Sequence, residues 1–535
     1  MSKKIRIFIG SLFASVIFPT AAIFIVFWFS SQKNEPQTID PVLRADHIKS
    51  VDHSEFEVLQ QEFESPHEVT EACVGCHNGR DNEIMQTAHW KWEREAELPN
   101  GRGVHNIGKK NLLNNFCTGA AGNNGSCMRC HIGYGWKDKS FDFGDPTNVD
   151  CLVCHDNTET YFKRSGEAGM PATTENATLA QPVPDYNYVA QNVGLPTRHN
   201  CGVCHFYGGG GNNVKHGDLE EALLECSKEV DVHMSPDGAD MVCTDCHKTE
   251  NHNITGKHYG VSAMNKNRVN CEDCHGNAPH NDRIIDGHFE KVACQTCHIP
   301  TYAKVNATKL WWDWSSAGRL TDDGHSIAEN DADGNHNYLS IKGNFVWDDN
   351  VEPEYQWHNG TADHYLLEDT ISTIPVKINE LFGSYTDTTA KIVPVKVHRG
   401  KQMYDTEYNT LISMKLHAAE KGEGAFWKDF DWDTSAVLGM QYNNRPYSGQ
   451  WDFVETEASW PLNHMVAPKE QAMSCTECHS RDSRLANIDD IYVPGRDHSR
   501  FLDNLGNIIL VLTILGILVH TILRIAFYKK RHHAH

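Results

Sequence analysis

Cys271-Glu272-Asp273-Cys274-His275 and, a short spacer later, Cys294-Gln295-Thr296-Cys297-His298 are two copies of one pentapeptide, Cys-x-x-Cys-His, whose recurrence decides how this chain folds. Eight copies occur: Cys73, Cys76 and His77; Cys127, Cys130 and His131; Cys151, Cys154 and His155; Cys201, Cys204 and His205; Cys243, Cys246 and His247; Cys271, Cys274 and His275; Cys294, Cys297 and His298; and Cys475, Cys478 and His479. Two thiols at this spacing can each add to a vinyl group of haem, and the imidazole that follows lies where it binds the iron as a proximal ligand. Zinc sites and dithiol redox centres also use Cys-x-x-Cys, but zinc needs paired knuckles and a dithiol needs no fixed histidine. Eight copies, each closed by His, therefore predict eight covalently bound haem c groups. Two cysteines in each copy leave only Cys117 and Cys226 of the 18, which excludes a disulfide scaffold.

The chain has 535 residues, of which 39% are hydrophobic, too few to fill a core of that size with side chains alone. Eight porphyrins supply the missing apolar volume. The expected fold is mainly α with extensive loops, a multihaem cytochrome c wrapped around a haem array, with transmembrane helices at the N- and C-termini. Several motifs follow one another so closely that the segment between them holds little beyond one helix. Neighbouring macrocycles then lie near enough for fast electron transfer in a wire or branched array. The formal charge of -23 argues against a nucleic-acid partner and favours low iron potentials. An anionic substrate needs a local cationic funnel against that field.

Ile7 to Phe29 is an uncharged apolar run that would span roughly 34 Å as a helix, enough for a hydrocarbon core. A cleaved signal peptide is the competing reading. A second run, Leu505 to Leu523, is followed by Arg524, Lys529, Lys530 and Arg531, while Lys3, Lys4 and Arg6 precede the first. Positive residues outside both runs put both termini in the cytoplasm and the haem domain on the periplasmic side of a bacterial cytoplasmic membrane, with membrane lipid as a partner. His520 inside the second run either ligates a b-type haem with a partner subunit or is an ordinary helix-contact residue. The expected organisation is an anchor over 1–30, an acidic linker over 31–65, a seven-haem core over 66–300, a cysteine-poor insert and eighth haem over 301–481, a linker over 482–504 and a last helix over 505–528.

Second axial ligands must come from the histidines outside the motifs. The best placed flank them: His89, His199, His233, His252, His280, His288 and His464, with His258 and His398 as replacements. A catalytic array needs one iron not locked by two histidines, and since every motif ends in His the exception must come from the sixth ligand. Phe206-Tyr207-Gly208-Gly209-Gly210-Gly211-Asn212-Asn213-Val214-Lys215-His216-Gly217-Asp218-Leu219 stands out, because its glycines allow close backbone approach to a macrocycle and Lys215 can deliver an amine to iron. On its own residues this segment reads more readily as a flexible loop with a solvated lysine.

The eight motifs, the glycine run leading to Lys215-His216-Gly217-Asp218-Leu219, Asn115-Phe116-Cys117, Cys294-Gln295-Thr296-Cys297-His298-Ile299-Pro300 and Trp312-Asp313-Trp314-Ser315 together resemble the octahaem tetrathionate reductase family of periplasmic cytochromes. The resemblance runs from about Glu71 to Arg481 and leaves out both apolar runs. It implies that the catalytic iron belongs to the second motif, Cys127, Cys130 and His131, with Lys215 as ligand, Cys117 nearby and Asp218 in the same site. From its residues alone, Cys117 can equally form a disulfide with Cys226.

The implied reaction is reductive cleavage of a sulfur oxyanion such as tetrathionate, with Lys215, Lys109, Lys110 and Arg129 as the cationic funnel and Cys117 as a sulfur nucleophile. Expected partners are this small inorganic anion and a quinol-oxidising membrane cytochrome or other electron donor. Two alternatives stay open: nitrite or hydroxylamine chemistry on the same array, and an electron conduit with no substrate. The basic run Pro394 to Gln402 is a further candidate to face an anion. The many Asp and Asn residues allow a calcium ion near the active haem, although no loop matches a calcium motif.

Overall fold

The computed structural model describes residues 51–113, 119–256 and 262–532, together with Ala21. It divides into two units, 1–472 and 473–535.

In the first unit the attachment motifs sit on short helical turns. Helix α1 (Pro66–Cys76) starts where Ser65 accepts the Glu68 N–H, with Pro66 in the first turn, where a missing N–H costs nothing. Helix α2 (Arg198–His205) opens on a reciprocal capping box between Thr197 and Asn200. Single turns at Asn124–Cys127, Leu152–His155, Cys243–Cys246, Glu272–His275 and Cys294–His298 carry the others. Positions i, i+3 and i+4 of a helical turn share one face, so both sulfurs and the imidazole of a motif point the same way.

The expectation of a mainly α protein is corrected by the stretch after the seventh motif. Two hairpins, β1 (Arg94–Leu98) with β2 (Gly103–Ile107) and β3 (Thr249–Glu250) with β4 (Asn253–Ile254), precede it. Then come β5 (Thr308–Asp313), β6 (Ala328–Asn330), β7 (His336–Leu339), β8 (Gly343–Asp348), β9 (Glu354–His358), β10 (Ala362–His364), β11 (Val376–Lys377), β12 (Asn379–Leu381), β13 (Lys391–Asp405), β14 (Thr410–Leu411) and β15 (Trp451–Pro461). Strands β10 and β12 pair alone; the other nine form one sheet in the order β11-β15-β13-β5-β8-β7-β6, with β9 and β14 also on β13. The long pair β13 and β15 is antiparallel, with Lys396 opposite Trp460 and His398 opposite Ala458.

Residues 394–398 of β13 are buried without interruption, so both faces of this central strand are covered. Trp312, Phe345, Met403, Phe426, Met440 and Trp460 belong to one apolar cluster, in which Trp312 and Trp314 stack at 5.1 Å. Helix α3 (Trp432–Tyr442), capped by Asp431, buries Ala436, Gly439 and Met440. The insert is thus a packed β module.

In the second unit, the turn Cys475–Cys478 is capped by Ser474, whose N–H donates to Glu477 Oε2 at 2.7 Å. Arg496 ties the following loop by donating to the carbonyls of Leu485, Ile488 and Ile491 and to Asp497. The unit ends in helix α4 (Arg500–His532), whose stretch Arg500–Phe527 is long and apolar enough to cross a membrane, with a mean hydropathy of 2.5 over its most apolar 18 residues. This is the single candidate span among the described residues, where two were expected; the apolar run 7–29 lies outside them apart from Ala21.

Candidate functional site

Two observations decide whether these residues fit haem. First, His155 Nδ1 lies 2.8 Å from the Gly194 carbonyl, His247 Nδ1 2.8 Å from that of Thr255 and, in the second unit, His479 Nδ1 3.0 Å from that of Pro494. A carbonyl on Nδ1 fixes the tautomer and leaves Nε2 as the metal-binding atom. Second, five motif imidazoles face a second imidazole. The ring centroids are 6.2 Å apart for His77 and His53, 6.2 Å for His205 and His89, 6.4 Å for His247 and His464, 6.0 Å for His275 and His233 and 6.0 Å for His298 and His280. Two metal–nitrogen bonds of about 2 Å and two ring radii of about 1 Å put the centroids of a bis-imidazole iron about 6 Å apart. The gaps match an iron between each pair.

His53 was not among the sequence candidates. It opens a 3-10 turn, His53–Glu55, capped by Asp52, inside the stretch that reads as an acidic linker. His252 lies within electrostatic reach of His155, and its Nδ1 is 2.8 Å from Glu83 Oε2. His199 sits in α2, and among the described residues no motif imidazole is set against its ring. His288 ends the turn Arg283–His288. His258 lies outside the described residues.

The second motif differs from the five pairs. His131 is 1% exposed and walled by Trp90, Trp92, Trp136, Phe141 and Phe143 at 4.8 to 6.0 Å between centroids. Its Nε2, not Nδ1, meets a carbonyl, that of Trp90 at 2.6 Å, and its buried Nδ1 has no hydrogen-bond partner. Among the described residues no second imidazole faces it. Cationic groups gather here instead: Lys109, Arg129 and Lys163 all act on Cys130, and Lys215 and Cys130 lie within electrostatic reach of each other. Lys110 is paired with Glu93 at 2.7 Å and lies 5.0 Å over the Phe143 ring.

Lys215 is held from three sides. Its Nζ lies 4.4 Å over the Trp460 ring of β15. The glycine run folds back on its stem: a Cβ on Gly209 would meet Val214 Cγ1 at 2.6 Å, so only glycine fits. Beneath it, fully buried Lys396 of β13 donates to the Val214 carbonyl at 2.8 Å and to Thr308 Oγ1 at 2.6 Å. Gly217, at φ +85, leaves room for Tyr302 and Lys396. Burial pushes the Lys215 amine down to about 7, Lys109 adding to the shift and Cys130 opposing it, so a neutral amine is accessible near neutral pH.

Asp218 bonds to the segment that follows β15. Its Oδ2 accepts the backbone N–H groups of Asn463 at 2.6 Å and His464 at 2.9 Å and lies 3.3 Å from His464 Nδ1, so it braces the imidazole opposite His247. The basic run Pro394 to Gln402 is no solvated anion surface: Lys396 and His398 are buried, and Arg399 is paired two-pronged with Glu354 at 2.7 and 3.0 Å. Cys117 lies outside the described residues. Cys226 is buried among Phe206, Leu223, Val230, Met234 and Met465. No cluster of three or more His, Cys, Asp or Glu side chains able to hold a metal ion occurs among the described residues, so nothing supports the calcium expectation.

Thiols of different motifs also meet. Cys73 faces Cys151, Cys130 faces Cys204, Cys201 faces Cys243 and Cys271 faces Cys294. The second motif therefore adjoins the fourth, and the fourth the fifth. Motif turns, facing imidazoles and adjoining thiols define a multihaem c-type cytochrome with a redox role.

Comparison with known proteins makes the class specific. Residues 309–482 match the family of bacterial cytochromes c. The chain is 27% identical to an uncharacterised protein of Archaeoglobus fulgidus over 250 residues, 39% of this chain and 82% of that one. It is also similar to the crystal structure of octaheme cytochrome c from Shewanella oneidensis, with a TM-score of 0.73 and 43% identity, over 81% of this chain and 95% of that one. The chain belongs to the octahaem cytochrome c family.

Proposed function

We propose that this protein is a membrane-tethered octahaem reductase that cleaves a small sulfur oxyanion, tetrathionate being the leading candidate, at the haem of Cys127, Cys130 and His131. The observation that carries the reading is the contrast at the second motif: five other motif histidines face a second imidazole, whereas beside His131 the Cys130 of its motif lies within electrostatic reach of Lys215, Lys109 and Arg129. Haem supplies one-electron transfer at such a site. The chain supplies the rest. Lys109 and Arg129 draw a dianion into an acidic protein. Lys215 is the proposed iron ligand when neutral and holds an oxyanion when protonated. The aromatic wall around His131 excludes water and strengthens these charges. Tetrathionate takes up two electrons, its central S–S bond breaks, and two thiosulfates leave with no proton consumed. Cys117 is proposed beside this centre, as the resemblance implies.

His53, His89, His464, His233 and His280 are the proposed sixth ligands opposite His77, His205, His247, His275 and His298, with His252 serving the haem of His155. His53→Met should convert one bis-histidine haem to histidine–methionine ligation, seen as a new near-infrared charge-transfer band and a raised potential for that haem alone. An unchanged spectrum would remove His53 from the ligand set.

Helix α4 is the proposed membrane anchor. Arg524, Lys529, Lys530 and Arg531 near its end put its C-terminal end in the cytoplasm and the haem units in the periplasm, where a quinol-oxidising membrane cytochrome can donate electrons. Residues 500–535 fused to a soluble periplasmic protein should carry it into washed membranes; recovery of the fusion in the soluble fraction would overturn the anchor. Steady-state oxidation of a reduced dye by tetrathionate, nitrite and hydroxylamine tests the substrate. Tetrathionate should give the highest kcat/KM, faster nitrite or hydroxylamine turnover would move the reading to nitrogen chemistry, and no turnover with any of them would leave an electron conduit.

A further inference from the structure

The imidazoles set against the motif histidines are not backed alike. Asp218 reaches His464 Nδ1 at 3.3 Å, Asp286 Oδ1 reaches His280 Nδ1 at 2.9 Å, and Glu83 Oε2 reaches His252 Nδ1 at 2.8 Å. Asp231 stands 3.8 Å from His233 Nδ1. These carboxylates come from four separate segments, so the pattern is not one acidic patch. The Asp218 side chain is 3% exposed, and its charge is therefore little screened.

His89 stands apart from these four. Among the described residues no carboxylate reaches its ring, and the charges bearing on it and on His205 are Arg94 and Lys215, both cationic groups. The haem of Cys201, Cys204 and His205 is also the one whose Cys204 adjoins Cys130 of the second motif.

A carboxylate on the Nδ1–H of a ligating histidine gives the ring imidazolate character, makes it a stronger donor and favours ferric over ferrous iron. Nearby cations do the opposite, because reduction removes a positive charge. We propose that Asp218, Asp286 and Glu83 hold the fifth, seventh and third haems at low potential, while His89 leaves the fourth at high potential, so that electrons collect beside the second. Each transfer moves one electron from ferrous iron at a carboxylate-backed site to ferric iron at the His89 site, with no proton or co-reactant. The fourth haem then holds one electron beside the second and is refilled from the low-potential haems, so that a two-electron substrate is served in two transfers. This rests on the ligand assignments proposed above.

The test is a redox titration of the intact holoprotein followed by EPR. His464→Met and His89→Met mark which signals belong to the fifth and fourth haems. In the wild type the His89 haem should be reduced before the His464 haem. Asp218→Asn should raise the reduced-to-oxidised ratio of the His464 haem about tenfold at fixed potential, a shift of about 59 mV for one electron. Asp286→Asn, at a more exposed pair, should shift the His280 haem in the same direction. Bis-histidine signals unchanged by His464→Met would overturn the ligand assignment and the gradient with it. A changed signal in that variant, with potentials unmoved in both Asp218→Asn and Asp286→Asn or with the His89 haem reduced last, would overturn the gradient alone.

Discussion

Lys215→Ala is expected to lower kcat/KM for the reducible anion by about 100-fold or more, the scale seen when one preorganised charged or hydrogen-bonding group is removed from a reaction centre. The same substitution should change the spin state of one haem in eight and leave the imidazole-paired haems as they were. Both effects follow from where the amine sits. It lies over Trp460 near Cys130, on a segment pinned by Lys396 through the Val214 carbonyl, and burial holds it near neutrality. Lys215→Arg separates its two proposed tasks. A guanidinium keeps the positive charge but stays protonated and does not ligate iron. It should restore KM while the altered spin state persists. Unaltered spectra in both variants would remove Lys215 from the iron.

The second large effect is on stability. Asp150 and Lys163 form an ion pair at 3.1 Å with side chains 0% and 2% exposed. Asp150 also accepts from Tyr134, Tyr161 and the Val153 N–H, and Lys163 donates to the carbonyls of His131 and Gly133. Because Asp150 immediately precedes Cys151, the pair ties the segments of the second and third motifs together. Removing one partner of such a pair leaves an uncompensated buried charge and costs about 3–5 kcal/mol. Asp150→Ala should therefore lower the urea midpoint of the haem core sharply. Asp150→Leu combined with Lys163→Met, which removes both charges, should cost much less. An Asp150→Ala protein as stable as the wild type would show that the pair does not hold these motifs.

The motifs were fully legible, because thioether attachment demands a fixed local spacing that no other residue context alters. Their partners were only half legible. Flanking position pointed to His89, His233, His280 and His464, each of which the fold sets against a motif imidazole, but His53 lies in a polar stretch with no apolar periodicity and becomes visible only when its turn is seen beside His77. The sheet was missed for a physical reason. In β13 the inward positions include Lys396, His398 and Gln402, so the alternation that marks a half-buried strand is absent. Those polar groups are tolerated inside because partners lie far along the chain: Thr308 and the Val214 carbonyl for Lys396, and the Lys309 carbonyl, 3.1 Å away, for His398. Asp218 shows the same limit. Its neighbours in sequence suggested the catalytic haem, whereas its hydrogen bonds go to His464, 246 residues away.

The central claim is that one haem of the eight differs from the rest. EPR and magnetic circular dichroism of the oxidised wild-type holoprotein, recorded with and without tetrathionate or thiosulfate, address it most directly. The account predicts a set of bis-histidine low-spin signals that ignore the anion and one distinct signal, assigned to the haem of Cys127, Cys130 and His131, that responds to it. Eight bis-histidine signals, none of them altered by the anion, would contradict it.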